Sequence, residues 1–414
     1  MLKNYIKIAL KVLGRNKFFT FVSLFGISFT LAILLVVTTF LDHMLSSKYP
    51  DVDRSKYVFV EQVTMRDAKR ESMSRSSASF YFLDRYVKKM ETPEMVAIFS
   101  NNNRTNTFVD DKKLQVTLRY TCENFWKIFQ FDFLEGHPYR LQQIEDNAYV
   151  AVITEDAAEQ YFGVGVSPIG KTFETDNIPF QVIGVVKNIS RLHPMGGTEI
   201  FVPYNTSKSD LQAMEYLGGY KGILLARDKA HIKEIKSEFN DMVSRIEIPK
   251  DQYHTILEVE ADTFLEGLTR DFFMADQPKN GLFFALIFGG MLLFMLLPAL
   301  NLVNLNTSRI MERAAEIGVR KAFGATSSTL TFQFLIENIV LTLVGGLIGL
   351  ILALILLAII ESSGIIPFAR LTINFRIFFA GIFLCFLFGL ISGVLPALRM
   401  SRMQIVNAIK GGEL

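Results

Sequence analysis

Residues 165–172 have the spacing of a phosphate-binding loop, which makes them the first place where this sequence could do chemistry. The stretch GVSPIGKT fits G-x-x-x-x-G-K-[ST], in which backbone amides and the lysine hold nucleotide phosphates. That chemistry requires a strand before the loop and a helix after it, because the helix N-terminus faces the phosphates. Here a helical pattern at 156–162 precedes the loop, and the residues after Lys171 indicate a turn and a strand. We therefore predict a turn at 165–172 and no nucleotide site.

The other residue types that could do chemistry are scattered. Cys122 lies in a polar region and Cys385 in an apolar run, and the five histidines have no metal-ligand spacing. No serine stands in G-x-S-x-G, and no pair of acids stands out as catalytic. The sequence therefore predicts no enzyme activity, no metal site and no cofactor.

Closely spaced charges occur at 306–327, between two apolar runs. The runs 281–305 and 338–360 contain no Asp, Glu, Lys or Arg, and each exceeds the ~20 residues with which a helix crosses a bilayer. The segment between them is amphipathic at helical spacing. Glu316 precedes Arg320 by four residues, which is the favourable order for an ion pair, and Gly324 is a helix-ending residue. The sequence predicts a short charged helix at the membrane surface.

Four apolar runs predict four transmembrane helices, at 18–41, 281–305, 338–360 and 377–398. The first run is longer than the apolar core of a signal peptide, so we predict that it is retained. Residues 1–17 form a basic amphipathic segment that suits an anionic membrane surface. Both termini, including the tail 399–414, and the loop 306–327 are basic, which places them in the cytosol, and residues 42–278 on the opposite side.

Charge is distributed unevenly along the chain. Residues 42–278 contain 28 Lys and Arg against 36 Asp and Glu, whereas the other 177 residues contain 15 against 5. The basic surplus therefore lies at membrane edges, which favours contact with lipid and does not suggest nucleic-acid binding.

The outer region predicts an α+β domain made of two β-α-β halves, with an inserted subdomain at about 103–217. In the first half, strands at 57–63 and 95–100 flank a helix at 80–90. In the second, strands at 222–227 and 255–259 flank a helix at 231–246. The insert has strand patterns at 114–120, 149–153, 180–186 and 199–203.

Glycines in the apolar runs are expected to let helices approach closely. The residues concerned are Gly345, Gly346, Gly349 and Gly393. Glu337 directly precedes the third run, where we expect headgroup exposure and no proton-relay role. The centres of the runs contain no ionisable residue of the kind that ion-coupled transporters use, which favours an external energy source.

The stretch 312–325, E-x-A-A-E-I-G-V-R-K-A-F-G-A, resembles the coupling-helix segment of MacB/FtsX-type ABC transporter permeases. The block 152–204 resembles the periplasmic core domain of the same family. In that family the coupling segment docks into a groove on an ATP-binding subunit. The resemblance implies that the docking residues here are Glu312, Arg313, Glu316, Ile317, Arg320, Lys321 and Phe323, with Gly324 shaping the end of the helix.

The resemblance further implies a multi-pass permease subunit of a bacterial inner membrane, with its large domain in the periplasm. It would work as a homodimer, or as a heterodimer with a related permease, together with two copies of a separate ATP-binding protein that hydrolyses ATP. ATP-driven motion would pass through the spans to the periplasmic domain for efflux or export. The exporter branch implies a periplasmic adaptor and an outer-membrane duct.

Two alternatives stay open: a lipoprotein-releasing permease of the same architecture, and a non-transporting FtsX-like regulator of an envelope enzyme. The length of residues 42–278 resembles the exporter and lipoprotein branches more than the shorter regulator type.

Overall fold

The computed structural model describes residues 14, 17–67, 72–109, 112–193, 195–248, 255–312, 318–320, 322–368, 371–373, 375–376, 378–383, 386–387 and 390. These residues divide into two units. One consists of the described parts of 1–44, 281–366 and 370–414, and the other consists mainly of residues 45–280. The first is built from long apolar helices and the second from a mixed sheet with short helices.

The helices, in chain order, are α1 (Lys17–Leu45), α2 (Phe80–Arg85), α3 (Glu123–Ile128), α4 (Leu141–Glu145), α5 (Glu155–Phe162), α6 (Ile232–Ser244), α7 (Phe264–Phe272), α8 (Asn280–Glu312) and α9 (Ser327–Ser362). The strands are β1 (Tyr57–Arg66), β2 (Met73–Ala78), β3 (Met95–Ser100), β4 (Asn103–Val109), β5 (Lys112–Thr121), β6 (Phe133–Gly136), β7 (Val150–Thr154), β8 (Thr172–Thr175), β9 (Ile178–Val186), β10 (Ile200–Pro203), β11 (Leu217–Gly218), β12 (Tyr220–Leu225) and β13 (Ile256–Thr263).

Two helices in the described part of the chain, α1 and nearly all of α9, are long and apolar enough to cross a membrane by length and composition. The first part of α8, Asn280–Leu296, is a shorter apolar helix by the same measure. The predicted fourth span, 377–398, is described only at 378–383, 386–387 and 390, and all of these residues are helical. Most of the predicted segment 1–17 and all of the tail 399–414 lie outside the described residues.

The helices that contain the predicted second and third spans extend beyond the predicted limits of those spans. Helix α8 continues beyond residue 305 to Glu312, and α9 begins at Ser327, well before residue 338. Hydropathy detects the apolar part of a helix, whereas a helix ends where its backbone hydrogen bonds are capped. The predicted third run begins at residue 338 because Glu337 interrupts the charge-free stretch, although the residues before it belong to the same helix.

The first part of the outer unit is a sheet in the order β13-β1-β12-β3. Strand β1 is antiparallel to β13 and β12, and β12 is antiparallel to β3. Helix α2 lies in the connection between β1 and β3, and α6 in the connection between β12 and β13, so each helix joins two parallel strands that have another strand between them. The predicted helix at 80–90 is shorter than expected, because after α2 the chain turns into a 3₁₀ segment at Val87–Lys89.

Both faces of this sheet are buried. Val58 and Val60 of β1 pack with α2 and α6 on one face, while Tyr57 packs with α3 on the other. Successive residues of a strand point to opposite faces, so β1 supplies both cores. This is why its first residues read as a continuous apolar run.

The second part of the outer unit, from β4 to β10, closes into a ring of strands. The order is β5-β10-β7-β9-β8-β4, and β4 pairs with β5 to complete the ring. Its core is formed by β5, β7, β8, β9 and β10 together with α5. Strand β11, at the end of the predicted insert, pairs with β2 of the first part. Strands β2, β4, β6, β8 and β11 were not predicted, because β2, β4 and β8 are largely polar, β6 has only four residues and β11 has only two.

Candidate coupling site

The predicted coupling segment is described at both ends. Helix α8 carries the chain to Glu312, and residues 318–320 and 322 are again helical. Four of the predicted docking residues, Arg313, Glu316, Ile317 and Lys321, lie outside the described residues. The structure therefore places Arg320, Phe323 and Gly324 at the C-terminal end of this segment, directly before α9.

A tight turn joins this segment to α9. The backbone N–H of Phe323 donates to the carbonyl of Val319 (3.1 Å), and that of Ala325 donates to the carbonyl of Arg320 (3.0 Å). Gly324 has a φ of +91°, a conformation that residues with a Cβ rarely adopt. Thr326 is the N-cap of α9, and its hydroxyl accepts a hydrogen bond from the N–H of Thr329 (3.2 Å). The short helix therefore ends within a few residues of the capped start of α9.

A chain of side-chain hydrogen bonds crosses this turn. Nη1 of Arg320 donates to Oε1 of Gln333 (3.0 Å), and Nε2 of Gln333 donates to Oε1 of Glu337 (3.0 Å). Gln333 and Glu337 lie one turn apart on α9, so they share a face. We call Arg320, Gln333 and Glu337 the loop clasp. It ties the end of the predicted coupling segment to the second and third turns of α9.

The expectation that Glu337 is exposed at the headgroups is wrong. Its side chain is buried, with 4% of the residue exposed, and Gln333 beside it is also buried. The neighbouring residues Asn338 and Thr342 are buried as well, which indicates a polar face on the first half of α9. A buried carboxylate requires hydrogen-bond donors, and Gln333 supplies one.

Apolar surface lies beside the clasp. Phe323 is 89% exposed and Val319 is half exposed. A phenylalanine left this open on a turn is available for contact with another surface. Arg320 is only partly exposed and contacts Gln333, so within the described residues Phe323 is the more open of these two predicted docking residues.

The predicted glycines of α9 face other helices at very short range. A Cβ on Gly345 would lie 2.8 Å from Cγ2 of Ile27, and one on Gly349 would lie 2.8 Å from the carbonyl oxygen of Ser28, both on α1. A Cβ on Gly346 would be in ordinary contact with Ile382. Gly393 lies outside the described residues. Gly345 and Gly349, which are four residues apart, provide the surface of α9 against which α1 packs.

The phosphate-loop match is not built as a nucleotide site. Helix α5 precedes it and strand β8 begins at Thr172, so the predicted local structure is confirmed. Nζ of Lys171 lies 5.3 Å from the ring centre of Phe162, a cation–π arrangement. Within the described ranges, no group of three His, Cys, Asp or Glu side chains could hold a metal ion.

Two clusters were missed from the sequence. One is the pairing of Arg320 with Gln333, and the other is a buried group of Asp51, Arg54 and His193 in the outer unit. A buried glutamine has no sequence signal. His193 lies 142 residues from Asp51, so no local pattern connects them.

Comparison with known families accounts for most of the chain. Residues 20–242 match the MacB-like periplasmic core domain, and residues 288–405 match the FtsX-like permease C-terminal domain. The chain belongs to the MacB/FtsX family of ABC transporter permeases.

Two sequence relatives and one solved structure illustrate this family membership. The chain is 27% identical over 299 residues to the pyoverdine export ATP-binding/permease protein PvdT of Pseudomonas savastanoi pv. phaseolicola, a match that covers 69% of this chain and 41% of PvdT. It is 26% identical over 261 residues to the ABC transporter permease YknZ of Bacillus subtilis, covering 63% and 61%. The periplasmic region of MacB from Actinobacillus actinomycetemcomitans superimposes with a TM-score of 0.36 at 14% identity, covering 50% and 88%. The chain thus spans about two fifths of the length of PvdT.

Proposed function

We propose that this chain transmits ATP-driven movement from an ATP-binding protein in the cytosol to its own extracytoplasmic domain, in support of export. The observation that carries the proposal is the turn at 323–326, at the end of the short helix. Phe323 offers an exposed apolar side chain there, and the loop clasp attaches the same turn to α9. Such a segment would bind a partner through Phe323 and be hydrogen-bonded to α9, a helix long and apolar enough to cross a membrane. It could therefore pass movement of the partner to α9.

Export is favoured by the relatives. PvdT carries export in its name, and most of the fold unit 45–280 lies within residues 20–242, which match a MacB-like periplasmic core domain. We further propose that the ATP-binding protein is a separate chain present in two copies, bound to a dimer of permease subunits. The name of YknZ, a permease, supports a separate ATP-binding chain.

Charge reversal at Glu316 tests the docking step. An exposed ion pair contributes only ~0–1 kcal/mol to folding, whereas breaking a charge pair buried at an interface costs ~2–5 kcal/mol. Glu316→Lys should therefore leave expression and membrane insertion intact and strongly reduce co-purification of the ATP-binding protein from solubilised membranes. Asp176→Lys, which reverses a charge in an exposed pair with Lys208, is the matched control and should retain the partner. Full retention of the partner by Glu316→Lys would contradict docking through this segment.

Membrane topology is tested separately. We propose that the large domain lies outside the cytosol and that both termini and the loop 306–327 lie inside. A membrane-impermeant thiol reagent on intact cells should label Asp210→Cys, an exposed position, and not Ala314→Cys. Labelling in the opposite sense would overturn this orientation.

A further inference from the structure

The chain that leaves α1 is held in the outer unit by a buried ionic cluster. Nε of Arg54 donates to Oδ2 of Asp51 (2.7 Å), and Nη2 of Arg54 donates to Oδ1 (3.1 Å). Both side chains are 3% exposed. Nε2 of His193 lies 2.8 Å from Oδ1 of Asp51, and this imidazole is buried as well. We call Asp51, Arg54 and His193 the junction cluster.

The backbone determines the tautomer of His193. Nδ1 accepts a hydrogen bond from the N–H of Met195 (3.0 Å), so the ring proton must be on Nε2. Nε2 then donates to Asp51, and the cluster consists of one carboxylate, one guanidinium and one neutral imidazole. Nη2 of Arg54 also lies 2.9 Å from Nε2 of His193, so all three side chains of the cluster are in contact. Removing Asp51 or Arg54 would leave a buried charge without its partner, which is far more costly than losing an exposed pair. Removing the imidazole of His193 would take away one of the hydrogen-bond donors to the buried carboxylate of Asp51.

The cluster joins three parts of the chain that are distant in sequence. Asp51 and Arg54 lie between α1 and β1, and His193 lies in the connection between β9 and β10 of the ring. The guanidinium of Arg54 lies 4.3 Å from the ring centre of Phe264, the first residue of α7. Helix α7 is the last helix before α8. The segment that follows α1, the helix α7 that precedes α8, and the inserted ring therefore meet at one buried site.

Neighbouring contacts make the entry and exit segments rigid. The hydroxyl of Tyr49 donates to the carbonyl of Lys187 (3.0 Å), and the N–H of Gln130 donates to the carbonyl of Pro50 (2.9 Å). On the exit side, Nε of Arg270 in α7 donates to Oδ2 of Asp262 (2.7 Å), in a pair that is about 90% buried. The entry segment is thus attached to the inserted part, and α7 is attached to β13.

Direct sheet pairing offers a weaker connection between the two parts of the outer unit. Strands β3 and β5 pair at one register position, Phe99 with Thr121, among the described residues. The two parts also share a hydrophobic core, in which Tyr57 and Phe99 of the first part pack with Phe201 of the ring. Apolar packing is non-directional, whereas a buried charge network with fixed geometry has a single favourable arrangement.

From this geometry we infer that Asp51, Arg54 and His193 are positioning residues that pass movement of the two flanking membrane helices to the inserted ring. This inference rests on the proposed function. It names the residues that would carry the movement within the extracytoplasmic domain. Without the cluster, α1 and α8 could still move on ATP binding, but the ring would no longer follow.

The test measures movement of the ring within the full chain. Spin labels are placed at Glu159→Cys on α5 in the ring and at Asn240→Cys on α6 in the first part, both exposed positions, after Cys122 and Cys385 have been replaced by serine. Pulsed electron resonance then gives the distance between the labels in the complex with the co-purified ATP-binding protein, without nucleotide and with ATP plus vanadate.

We expect an ATP-dependent shift of the distance distribution in the background protein and its loss in His193→Leu. His193→Gln should retain the shift, because its amide N–H can replace Nε2–H towards Asp51. His231→Leu is the matched control, since His231 forms an exposed pair with Asp228 at 2.9 Å. Asp51→Asn, of nearly the same size, is the second disruptive variant in case His193→Leu does not fold, and it should also lose the shift.

A full shift in His193→Leu or in Asp51→Asn overturns the inference, as does the absence of any shift in the background protein. If the proposed function is wrong, a different result is expected: the ATP-binding protein does not co-purify even with the unaltered chain. Retention of the partner by all the variants, together with loss of the shift only in His193→Leu and Asp51→Asn, is the result that supports the junction cluster.

Discussion

Nη1 of Arg320 donates a hydrogen bond to Oε1 of Gln333, 3.0 Å away and thirteen residues further along the chain. The turn containing Gly324 lies between them, so this bond closes a loop around the turn. Because Gln333 donates in turn to Glu337, a partly exposed cation is connected through an amide to a buried carboxylate on α9. The end of the predicted coupling segment and the start of α9 should therefore move as one body.

Replacing Gln333 by Met should uncouple the segment from α9 without preventing docking. The change keeps the length of the side chain and removes both hydrogen bonds, each involving a charged group and worth ~1.5–3 kcal/mol. We expect the ATP-binding protein to co-purify normally, while the permease-dependent part of its ATP hydrolysis falls several-fold. The measurement is the ATPase rate of the purified complex in lipid.

Gln160→Met is the matched control for this experiment. Gln160 is exposed on α5 and donates to Asp156, four residues earlier, at 2.6 Å. Gln160→Met removes a glutamine–carboxylate hydrogen bond from a solvated surface, so the ATPase rate should not change. An unchanged rate in Gln333→Met would mean that the loop clasp does not transmit movement.

Adding a methyl group at Gly349 should weaken the packing of α1 on α9. The new Cβ would lie 2.8 Å from the carbonyl oxygen of Ser28 and 3.1 Å from Cβ of Leu31, and neither atom can move without shifting α1. Overpacking of this kind costs ~1–3 kcal/mol. Gly349→Ala should therefore lower the midpoint of thermal unfolding of the detergent-solubilised chain.

Gly289→Ala is the control, because a Cβ there meets no atom within 4 Å in the described part of the chain. Alanine favours helix over glycine by ~0.8–1.0 kcal/mol, so this variant should be as stable as the unaltered chain or more so. Equal midpoints for the two variants would show that α1 does not pack on Gly349 as described.

Removing the charge of Arg119 should not destabilise the outer unit. Burial lowers the pKa of its guanidinium to about 10, and among the described residues no carboxylate forms an ion pair with it. It donates instead to Oδ1 of Asn102, which also accepts from Thr198. Taking a charge out of water carries a desolvation penalty, which an apolar side chain of similar size avoids. Arg119→Met should thus retain or raise the free energy of unfolding in denaturant titrations.

Arg104→Met, an exposed position on β4, is the reference for this comparison and should change stability little. A large loss of stability in Arg119→Met alone would show that the bonds to Asn102 outweigh the cost of burying the charge.

The stability of the outer unit should fall on acidification through Glu266. Burial acts to raise the pKa of this carboxyl, but hydrogen bonds from Lys236 and Thr263 hold the pKa below its ordinary 4.5. A lowered folded-state pKa stabilises the fold above about pH 4.5, and this contribution disappears as the pH falls below that value through the folded-state pKa. Glu266→Gln should flatten the dependence of unfolding free energy on pH below 4.5 relative to the exposed control Glu159→Gln.

Much of the local structure could be read from the sequence because its causes are local. Strands predicted at 57–63 and 95–100 are observed as β1 and β3, since their apolar residues serve buried faces of a sheet. Helix α6 lies within the predicted 231–246, where apolar residues recur at helical spacing. The family resemblance noted at 312–325 and 152–204 is confirmed by the matches over 20–242 and 288–405.

The sequence by itself determined the apolar runs, the family and the glycine that ends the short helix before α9, because each depends on neighbouring residues. Only the tertiary structure decided that Glu337 is buried, that Gln333 connects it to Arg320, and that the strands from β4 to β10 close into a ring. The same holds for Asp51 and His193, which meet only after two subdomains have folded around them. A polar residue carries no sign of its partner along the chain, since hydrogen bonds and burial depend on distances in space that folding alone establishes.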